Sequence, residues 1–332
     1  MKIAINGFGR IGRLVYRLME EDDFFEVVAI NDLSSSEELA YLLRYDSTHR
    51  NYDKDISFDD DSIYVDGKRV KIYSESDPSI LPWKELGIDL VFECTGRFTD
   101  LDSALLHIKA GARKVIVSAP CKGDVKTVVY NVNDDIIDSS DKVISAASCT
   151  TNCLAPVVKV LHDNFGIARG FMTTVHAYTN DQATLDVPHK KGIKARRGRA
   201  CAINIVPTST GAAKAIGKVI PSLEGKLDGG ALRVPVVDGS LCDLSLELIE
   251  KVTVDEVNSV FLNNVNDTLK ATYDPIVSSD VIGGKFGSLV DLSLTKVLDT
   301  DGKQMVKVIC WYDNEMGYSM QMVRTAKKFL SK

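Results

Sequence analysis

Near the start of this 332-residue chain stands Lys2-Ile3-Ala4-Ile5-Asn6-Gly7-Phe8-Gly9-Arg10-Ile11-Gly12, which predicts the fold of its N-terminal half. Its first five residues are typical of a short buried strand, and three glycines follow at the spacing G-x-G-x-x-G. Apolar residues then recur at positions 11, 14, 15, 18 and 19, which is the period of an amphipathic helix. A strand, a glycine turn and a helix in this order are the setting in which such a motif binds a dinucleotide.

Each glycine of this motif has a predicted role. Gly7 permits the tight turn, Gly9 lets a pyrophosphate approach the backbone, and Gly12 lets helix and strand pack closely. The helix N-terminus would offer free N–H groups to the phosphates. Asp32 ends a second predicted strand 20 residues after Gly12, where its carboxylate would accept hydrogen bonds from the adenosine ribose and repel a 2′-phosphate. This favours NAD over NADP, the alternative being a strand–loop–helix without a ligand.

Predicted strands and helices alternate through the N-terminal half, whereas predicted strands follow one another in the second half. Strands are predicted at 90–96, 114–118 and 142–145, with a helix over 101–110. This alternation favours a doubly wound parallel sheet. The acidic segment 46–74 is predicted to form a surface hairpin. Later strands at 170–175, 232–237, 242–249, 288–297 and 306–311 favour a mainly antiparallel sheet, with helices over 253–265 and 318–330.

Composition limits the function classes. The net charge is −6 and 45% of residues are hydrophobic, so bulk charge does not favour binding to nucleic acid or to an anionic membrane. We expect no membrane span, because no apolar run approaches the roughly 18 residues needed. Seven cysteines, an odd number in a long chain, do not suggest a disulfide framework. These features predict a two-domain cytoplasmic protein, of the kind that is usually an enzyme.

Cys149 is the candidate nucleophile. Ser148 is a good N-cap for a helix that would place Cys149 in its first turn, where the helix dipole lowers a thiol pKa. His176, at the end of the predicted strand 170–175, is the candidate base. By composition alone a cysteine is more often buried and inert. A metal site at Cys149 and Cys153 is disfavoured because no Cys or His partners stand at ligand spacing.

Three segments indicate an anionic substrate. Residues 207–214 resemble a hydroxyl-rich helix start, which is a good site for an oxyanion. Residues 190–199 form a basic loop, and Arg233 heads a predicted strand; arginine suits bidentate phosphate binding. The alternative interpretation of the basic loop is a solvated surface or a contact between subunits. A nucleic-acid patch is disfavoured because the loop lacks interleaved aromatic residues.

Several motifs together resemble one family along the whole chain, the phosphorylating glyceraldehyde-3-phosphate dehydrogenases. The matching motifs are Asn6–Arg13, Asn31–Leu33, Tyr45–His49, Glu93–Gly96, Ala147–Cys153, His176–Gln182, Pro207–Lys214, Leu232–Pro235 and Trp311–Glu315. The cysteine motif and the downstream histidine motif are the most specific of these.

The resemblance implies a role for each matching residue. Cys149 is then the nucleophile and His176 the base. The implied NAD contacts are Gly7, Gly9, Arg10, Ile11, Gly12, Asp32, Thr95, Ser118 and Asn314. Thr179 and Arg233 would hold the substrate phosphate. The implied contacts of the attacking inorganic phosphate are Ser148, Thr150, Arg196, Thr210 and Gly211. No metal is implied.

The resemblance also implies an organisation and a reaction. Residues 1–148 and 315–332 would form a Rossmann-type NAD-binding domain, and 149–314 an α+β catalytic domain, in a cytoplasmic homotetramer. The substrates would be glyceraldehyde 3-phosphate, NAD⁺ and inorganic phosphate, with a thioester at Cys149. The alternatives are an erythrose-4-phosphate dehydrogenase and a binding or adhesion protein that keeps the fold. The chain departs from the common family pattern at Arg50, Ser76, Ala146 and the loop 191–195.

Overall fold

The chain forms two compact units. A computed structural model describes residues 1–190 and 192–332; Lys191, part of the predicted basic loop, lies outside the described residues. The first unit comprises Met1–Ser148 and Ser319–Lys332, and the second comprises Cys149–Tyr318. Each unit has its own sheet, which confirms the predicted α/β class with a parallel-rich sheet followed by a mainly antiparallel one.

The first unit is built around a nine-stranded sheet. Its strands are β1 (Lys2–Asn6), β2 (Glu26–Asn31), β3 (Ile56–Asp59), β4 (Ser62–Val65), β5 (Lys68–Tyr73), β6 (Leu90–Glu93), β7 (Lys114–Val117), β8 (Lys126–Thr127) and β9 (Val143–Ser145). The helices within 1–148 are α1 (Arg10–Met19), α2 (Ser36–Arg44), α3 (Trp83–Leu86) and α4 (Leu101–Lys109). The strand order is β3-β4-β5-β2-β1-β6-β7-β9-β8.

The centre of this sheet is parallel, as the alternating pattern predicts. β1 pairs in parallel with both β2 and β6, so the turns after these three strands reach the same edge of the sheet. Strand residues such as Ile3, Ile5 and Phe92 are fully buried, because helices cover a parallel sheet on both faces.

The segment 46–74 differs from its prediction in one respect. β3, β4 and β5 do form an antiparallel meander, with Asp66 and Gly67 in the left-handed region at the turn. However, β5 also pairs in parallel with β2. The meander therefore extends the main sheet, because β5 supplies the backbone partners for the outer side of β2.

The second unit is built around a seven-stranded sheet. Its strands are β10 (Ile167–Ala177), β11 (Val206–Ser209), β12 (Leu227–Val234), β13 (Ser240–Leu248), β14 (Leu269–Thr272), β15 (Ser288–Thr300) and β16 (Lys303–Tyr312). Its helices are α5 (Cys149–Phe165), α6 (Ala212–Val219) and α7 (Val254–Asn263). The order β11-β12-β10-β13-β16-β15-β14 is mostly antiparallel, with parallel pairs at β10/β12 and β14/β15.

Local sequence signals predict one helix start in this unit correctly and misplace another. Thr253 and Glu256 form the predicted capping box at the start of α7. The predicted helix start at 207–214 is partly wrong, because Val206–Ser209 is β11 and α6 begins only at Ala212. Pairing with β12 keeps these residues extended, so tertiary pairing overrides the hydroxyl-rich pattern.

The C-terminal helix α8 (Met316–Leu330) lies mostly in the first unit. The Lys114 ammonium donates to the Phe329 carbonyl at 2.6 Å, and Lys327 pairs with Asp22 at 2.6 Å. All seven cysteines are free thiols. Among the described residues, no helix combines the length and the apolarity that a membrane crossing requires.

Candidate active site

The glycine motif lies between β1 and α1, and each glycine has a different environment. Gly7 has a φ of +90°, and a Cβ there would lie 2.8 Å from the Thr95 backbone nitrogen. A Cβ on Gly12 would lie 2.2 Å from the Gly7 carbonyl oxygen. A Cβ on Gly9 would meet nothing within 4 Å. Gly7 and Gly12 are therefore required by packing, whereas Gly9 leaves open space at the N-terminus of α1.

A cavity of 260 Å³ opens beside this motif. Of the sequence-predicted cofactor residues, Gly7, Gly9, Asp32 and Thr95 line it. Its other lining residues, which sequence reasoning did not assign to the cofactor, are Asn6, Asn31, Leu33, Glu75, Ser76, Cys94, Arg97 and Phe98. The feature that these residues share is their position at or just beyond the ends of β1, β2, β5 and β6, which could have identified them from the predicted strands.

Asp32 is fixed within this cavity by backbone donors. Its carboxylate accepts hydrogen bonds from the Phe8 nitrogen at 2.8 Å and the Ser34 nitrogen at 3.0 Å. The Phe8 bond joins the end of β2 directly to the glycine turn after β1. The carboxylate is thus held beside the turn where the sequence places a ribose.

The remaining predicted cofactor residues lie outside the described lining of this cavity. Ile11 and Gly12 lie in the first turn of α1, and Ser118 directly follows β7. Arg10 forms an ion pair with Asp46 at 2.6 Å. Despite the opposing effect of burial, hydrogen bonds from Arg10 and from the His49 backbone lower the pKa of Asp46 to about 2. Asp46 therefore remains ionised and holds the guanidinium at the start of α1.

A buried hydrogen-bond network supports the Thr95 side of the cavity. Glu93 Oε1 accepts from both the backbone nitrogen and the hydroxyl of Thr95. Glu93 Oε2 accepts from the Asn6 amide at 2.5 Å and lies 3.1 Å from His107 Nε2. Because Trp83 Nε1 donates to His107 Nδ1 at 3.1 Å, the ring proton lies on Nε2 and points at Glu93. The sequence signal was an acid at the end of an otherwise apolar strand.

In the second unit, Cys149 and His176 lie together. Cys149 begins α5, His176 lies near the end of β10, and Cys149 Sγ is 3.5 Å from His176 Nε2. His176 Nδ1 is 2.7 Å from the Ala177 carbonyl oxygen, which can only accept, so the ring proton lies on Nδ1. The Arg233 nitrogen that lies 3.0 Å from Nδ1 donates to the same carbonyl. Nε2 is left as an acceptor that faces the thiol, which is the arrangement of a nucleophile and its base.

Burial sets the protonation of this pair. It lowers the pKa of His176 to about 3, assisted by the nearby Arg233 cation. It also raises the pKa of the Cys149 thiol, against the opposing effect of Arg233. The lowered thiol pKa expected from the helix terminus is therefore wrong for this state, because removal from water outweighs the nearby positive charge. The two groups form a neutral, hydrogen-bonded pair.

Strand register brings Arg233 to this pair. His176 and Arg233 are direct neighbours in the parallel ladder of β10 and β12. The Arg233 guanidinium donates to the Ala177 carbonyl at 2.9 Å and to the Thr179 hydroxyl at 3.3 Å. Two predicted phosphate contacts, Thr179 and Arg233, are thus in contact with each other. They form a cationic, hydroxyl-bearing group beside the base.

Tyr312 is a residue of this site that sequence reasoning missed. It is fully buried, and its hydroxyl lies 2.9 Å from both Thr150 Oγ1 and Thr174 Oγ1. Its ring meets the His176 ring edge-on, with centroids 5.8 Å apart. Tyr312 therefore ties α5, β10 and β16 together behind the Cys149–His176 pair. A lone tyrosine at a strand end carries no signal for such a role.

Asn314 is oriented by a chain of hydrogen bonds. The Ala177 nitrogen donates to Ser240 Oγ at 3.1 Å, so the Ser240 hydroxyl proton is free to reach Asn314 Oδ1 at 2.6 Å. The Asn314 backbone nitrogen donates to Asp238, whose pKa burial and Asp313 raise to about 9. This fixes the Asn314 amide with its oxygen toward β13.

The other predicted phosphate contacts have distinct surroundings. Arg196 and Gly211 line a basic cavity of 820 Å³ together with Lys194, Arg197 and Thr208. Cys149, His176, Thr179 and Arg233 are not among its described lining residues. The Thr210 hydroxyl accepts a hydrogen bond from the Ala212 nitrogen at the start of α6. The Thr150 hydroxyl is hydrogen-bonded to the Tyr312 hydroxyl. Ser148 directly precedes α5.

Comparisons with known proteins agree with these features. Residues 1–101 match the family description "Glyceraldehyde 3-phosphate dehydrogenase, NAD binding domain", and residues 148–314 match its C-terminal domain. The chain is 55% identical over 328 residues to glyceraldehyde-3-phosphate dehydrogenases of Clostridium pasteurianum and Clostridium acetobutylicum, covering 99% of this chain and 98% of each relative. It is 52% identical over 330 residues to that of Streptococcus pyogenes, with the same coverage.

Proposed function

Because the chain belongs to the glyceraldehyde-3-phosphate dehydrogenase family, we propose that Cys149 is its nucleophile and His176 its general base. The protein is an NAD-dependent oxidoreductase of that activity. Relatives at this identity do not favour the erythrose-4-phosphate alternative. The observation that carries the residue assignment is the 3.5 Å approach of Cys149 Sγ to the acceptor nitrogen Nε2 of His176.

The first unit fits NAD. The open space at Gly9 admits a pyrophosphate to the N-terminus of α1, where backbone N–H groups and the helix dipole favour an anion. Asp32 lines the neighbouring cavity with its carboxylate fixed to receive ribose hydroxyls. When bound, NAD⁺ supplies the hydride acceptor for oxidation of the substrate carbon held on Cys149.

The Cys149–His176 pair carries out the proton transfers of the proposed reaction. Cys149 Sγ bonds to the aldehyde carbon, and the thiol proton passes through His176 Nε2 to the former carbonyl oxygen, giving a hemithioacetal. Nε2 takes that hydroxyl proton again during the oxidation, which leaves a thioester. Because the hydrogen bond to Ala177 holds the ring proton on Nδ1, Nε2 stays available as the acceptor.

Two anion sites complete the proposed reaction. Thr179 and Arg233 would bind the phosphate of glyceraldehyde 3-phosphate, since arginine forks match phosphate oxygens. Ser148, Thr150, Arg196, Thr210 and Gly211 would bind the inorganic phosphate that attacks the thioester. The product is then an acyl phosphate, and the attack restores the Cys149 thiol.

We propose that the working enzyme is a cytoplasmic homotetramer. The second unit exposes large apolar side chains, among them Phe171, which is 70% exposed, and Ile203 and Ile205 at 80% and 66%. Apolar residues exposed in such number on one unit favour burial against copies of the same chain. Analytical ultracentrifugation of the purified protein measures the assembly.

The proposed roles are tested by NADH formation from glyceraldehyde 3-phosphate, with and without inorganic phosphate. We expect phosphate-dependent turnover that Cys149→Ser abolishes, because a serine hydroxyl is far less nucleophilic than a thiol. Cys121→Ser, at a buried cysteine of the first unit, is the matched control and keeps turnover. Full activity in Cys149→Ser would remove the nucleophile assignment, and turnover without phosphate would indicate thioester hydrolysis instead.

A further inference from the structure

Three cysteines outside the proposed catalytic pair meet in the core of the second unit. Cys153 lies on α5, Cys242 on β13 and Cys310 on β16, and none has any solvent exposure. Cys242 and Cys310 are direct neighbours across the antiparallel ladder, so their side chains point to the same face. Cys153 packs onto that face from the helix. We call these residues the thiol trio.

The spacing of the sulfur atoms matches a three-coordinate metal site. The three Sγ atoms all lie within 4.8 Å of one another, and Cys153 Sγ is 3.5 Å from Cys310 Sγ. A metal–sulfur bond of about 2.3 Å places the sulfurs of a trigonal site about 4 Å apart. The trio therefore requires only small side-chain adjustments to hold an ion at its centre.

The donor set selects a soft ion. Sulfur-only sites favour Cu(I) and Zn²⁺ among biological metals, but structural Zn²⁺ takes four ligands in a tetrahedron. The Ser288 hydroxyl lies 3.4 Å from the Cys153 sulfur, and a serine hydroxyl is not among the usual zinc ligands. Within the part of the chain that the structure describes, no further Cys, His, Asp or Glu joins this group, and three sulfurs alone suit Cu(I).

Binding releases protons from the trio. The thiolate is the form of cysteine that binds a metal, so each Cu–S bond that forms replaces an S–H bond and releases one H⁺ to solvent. No electron is transferred, because the copper enters and stays as Cu(I).

We propose that the thiol trio is a binding site for one soft monovalent d¹⁰ cation, Cu(I), in addition to the dehydrogenase site. This inference does not rest on the proposed catalytic roles, because it uses neither Cys149 nor His176. Its consequence is that the core beneath α5 takes up Cu(I) and is stabilised by it, since an ion that binds only the folded state raises stability by mass action.

The test uses the whole 332-residue chain with Cys149→Ser, which removes a partly exposed thiol that could also bind copper. The protein is incubated anaerobically with Cu(I) supplied as its acetonitrile complex, washed with a chelator, and analysed for copper per chain. We expect one retained copper per chain, three sulfur neighbours by X-ray absorption, and a higher unfolding temperature. Zn²⁺ in a parallel incubation should be lost in the wash.

Two further substitutions in this background locate the site. Cys242→Val keeps a strand-forming apolar side chain and should lose the copper and the gain in unfolding temperature. Cys121→Ser should retain both, because Cys121 is a buried thiol of the first unit. If Cys242→Val does not fold, as judged by circular dichroism, Cys310→Ser replaces it with the same expected loss.

Three results would overturn the proposal. These are no retained copper in the Cys149→Ser protein, equal retention in Cys242→Val, or loss of two thiols to a disulfide without retained metal. Retention of Zn²⁺ through the wash would overturn the monovalent assignment.

Discussion

The cofactor cavity of the first unit and the Cys149 site of the second are assembled in different ways. The cavity is formed largely by the turns after β1, β2 and β6, three neighbouring parallel strands whose ends meet at one edge. The Cys149 site instead takes single side chains from α5, β10, β12 and β16. A turn motif is largely a backbone property, whereas the second site depends on strand register. The first is therefore easier to recognise in a sequence.

The largest expected effect separates two glycines of the same turn. Gly12→Ala should destabilise the protein by about 3 kcal/mol, because its methyl group would collide with the Gly7 carbonyl oxygen. Gly9→Ala should change stability by less than about 1 kcal/mol, since open space surrounds that position, but it should weaken NAD binding. Urea unfolding without cofactor and an NAD titration measure the two effects.

The difference between the Gly9→Ala and Gly12→Ala variants tests whether the two glycines serve binding and packing separately. If Gly9→Ala bound NAD as tightly as the unchanged protein, the open space would not be the pyrophosphate site. If both variants were equally destabilised, the distinction between packing and binding glycines would be wrong.

Glu93→Gln should have the next largest effect. Its amide would place N–H donors against groups that now donate to the Glu93 carboxylate, at a cost of about 1–3 kcal/mol. Because Glu93 holds Thr95 at the cofactor cavity, we expect KM for NAD to rise roughly tenfold, as about 1.4 kcal/mol implies, with kcat little changed.

Glu85→Gln, on the exposed side of α3, is the matched control for this substitution and should leave both constants unchanged. Steady-state kinetics at varied NAD gives the two constants separately. A fall in kcat at constant KM would show that Glu93 does not act through the cofactor cavity.

The smallest expected effect is a shift in pH dependence. The Arg233 cation lowers the pKa of both Cys149 and His176, so Arg233→Leu should raise both values. The rate of Cys149 alkylation by iodoacetamide rises as the thiol ionises, and its pH profile should move to higher pH in the variant. Arg233→Lys keeps the charge and should lie between the two.

Arg169→Leu is the control for this experiment, because Arg169 lies on β10 with its side chain largely exposed and paired to Glu247. Its alkylation profile should match that of the unchanged protein. A profile that moved to lower pH in Arg233→Leu would contradict the proposed electrostatic role.

Local sequence patterns predicted much of the fold. The G-x-G-x-x-G turn, the acid at position 32 and the alternation of strands and helices predicted the parallel sheet, because glycine requirements and side-chain periodicity are local. The motifs around Cys149 and His176 identified the family on the same basis. The start of α6 was mispredicted where pairing with β12 overrode the local pattern.

Which distant side chains meet depends on the folded arrangement of strands and helices. Strand register places Arg233 beside His176. The pairing of β16 within the second sheet places Tyr312 behind the Cys149–His176 pair. The packing of α5 on the sheet brings Cys153 to the other two cysteines of the thiol trio. Burial then reversed the pKa expected for Cys149, since removal from water outweighs a nearby cation. These outcomes depend on contacts between residues up to 162 positions apart in sequence, and no local pattern encodes them.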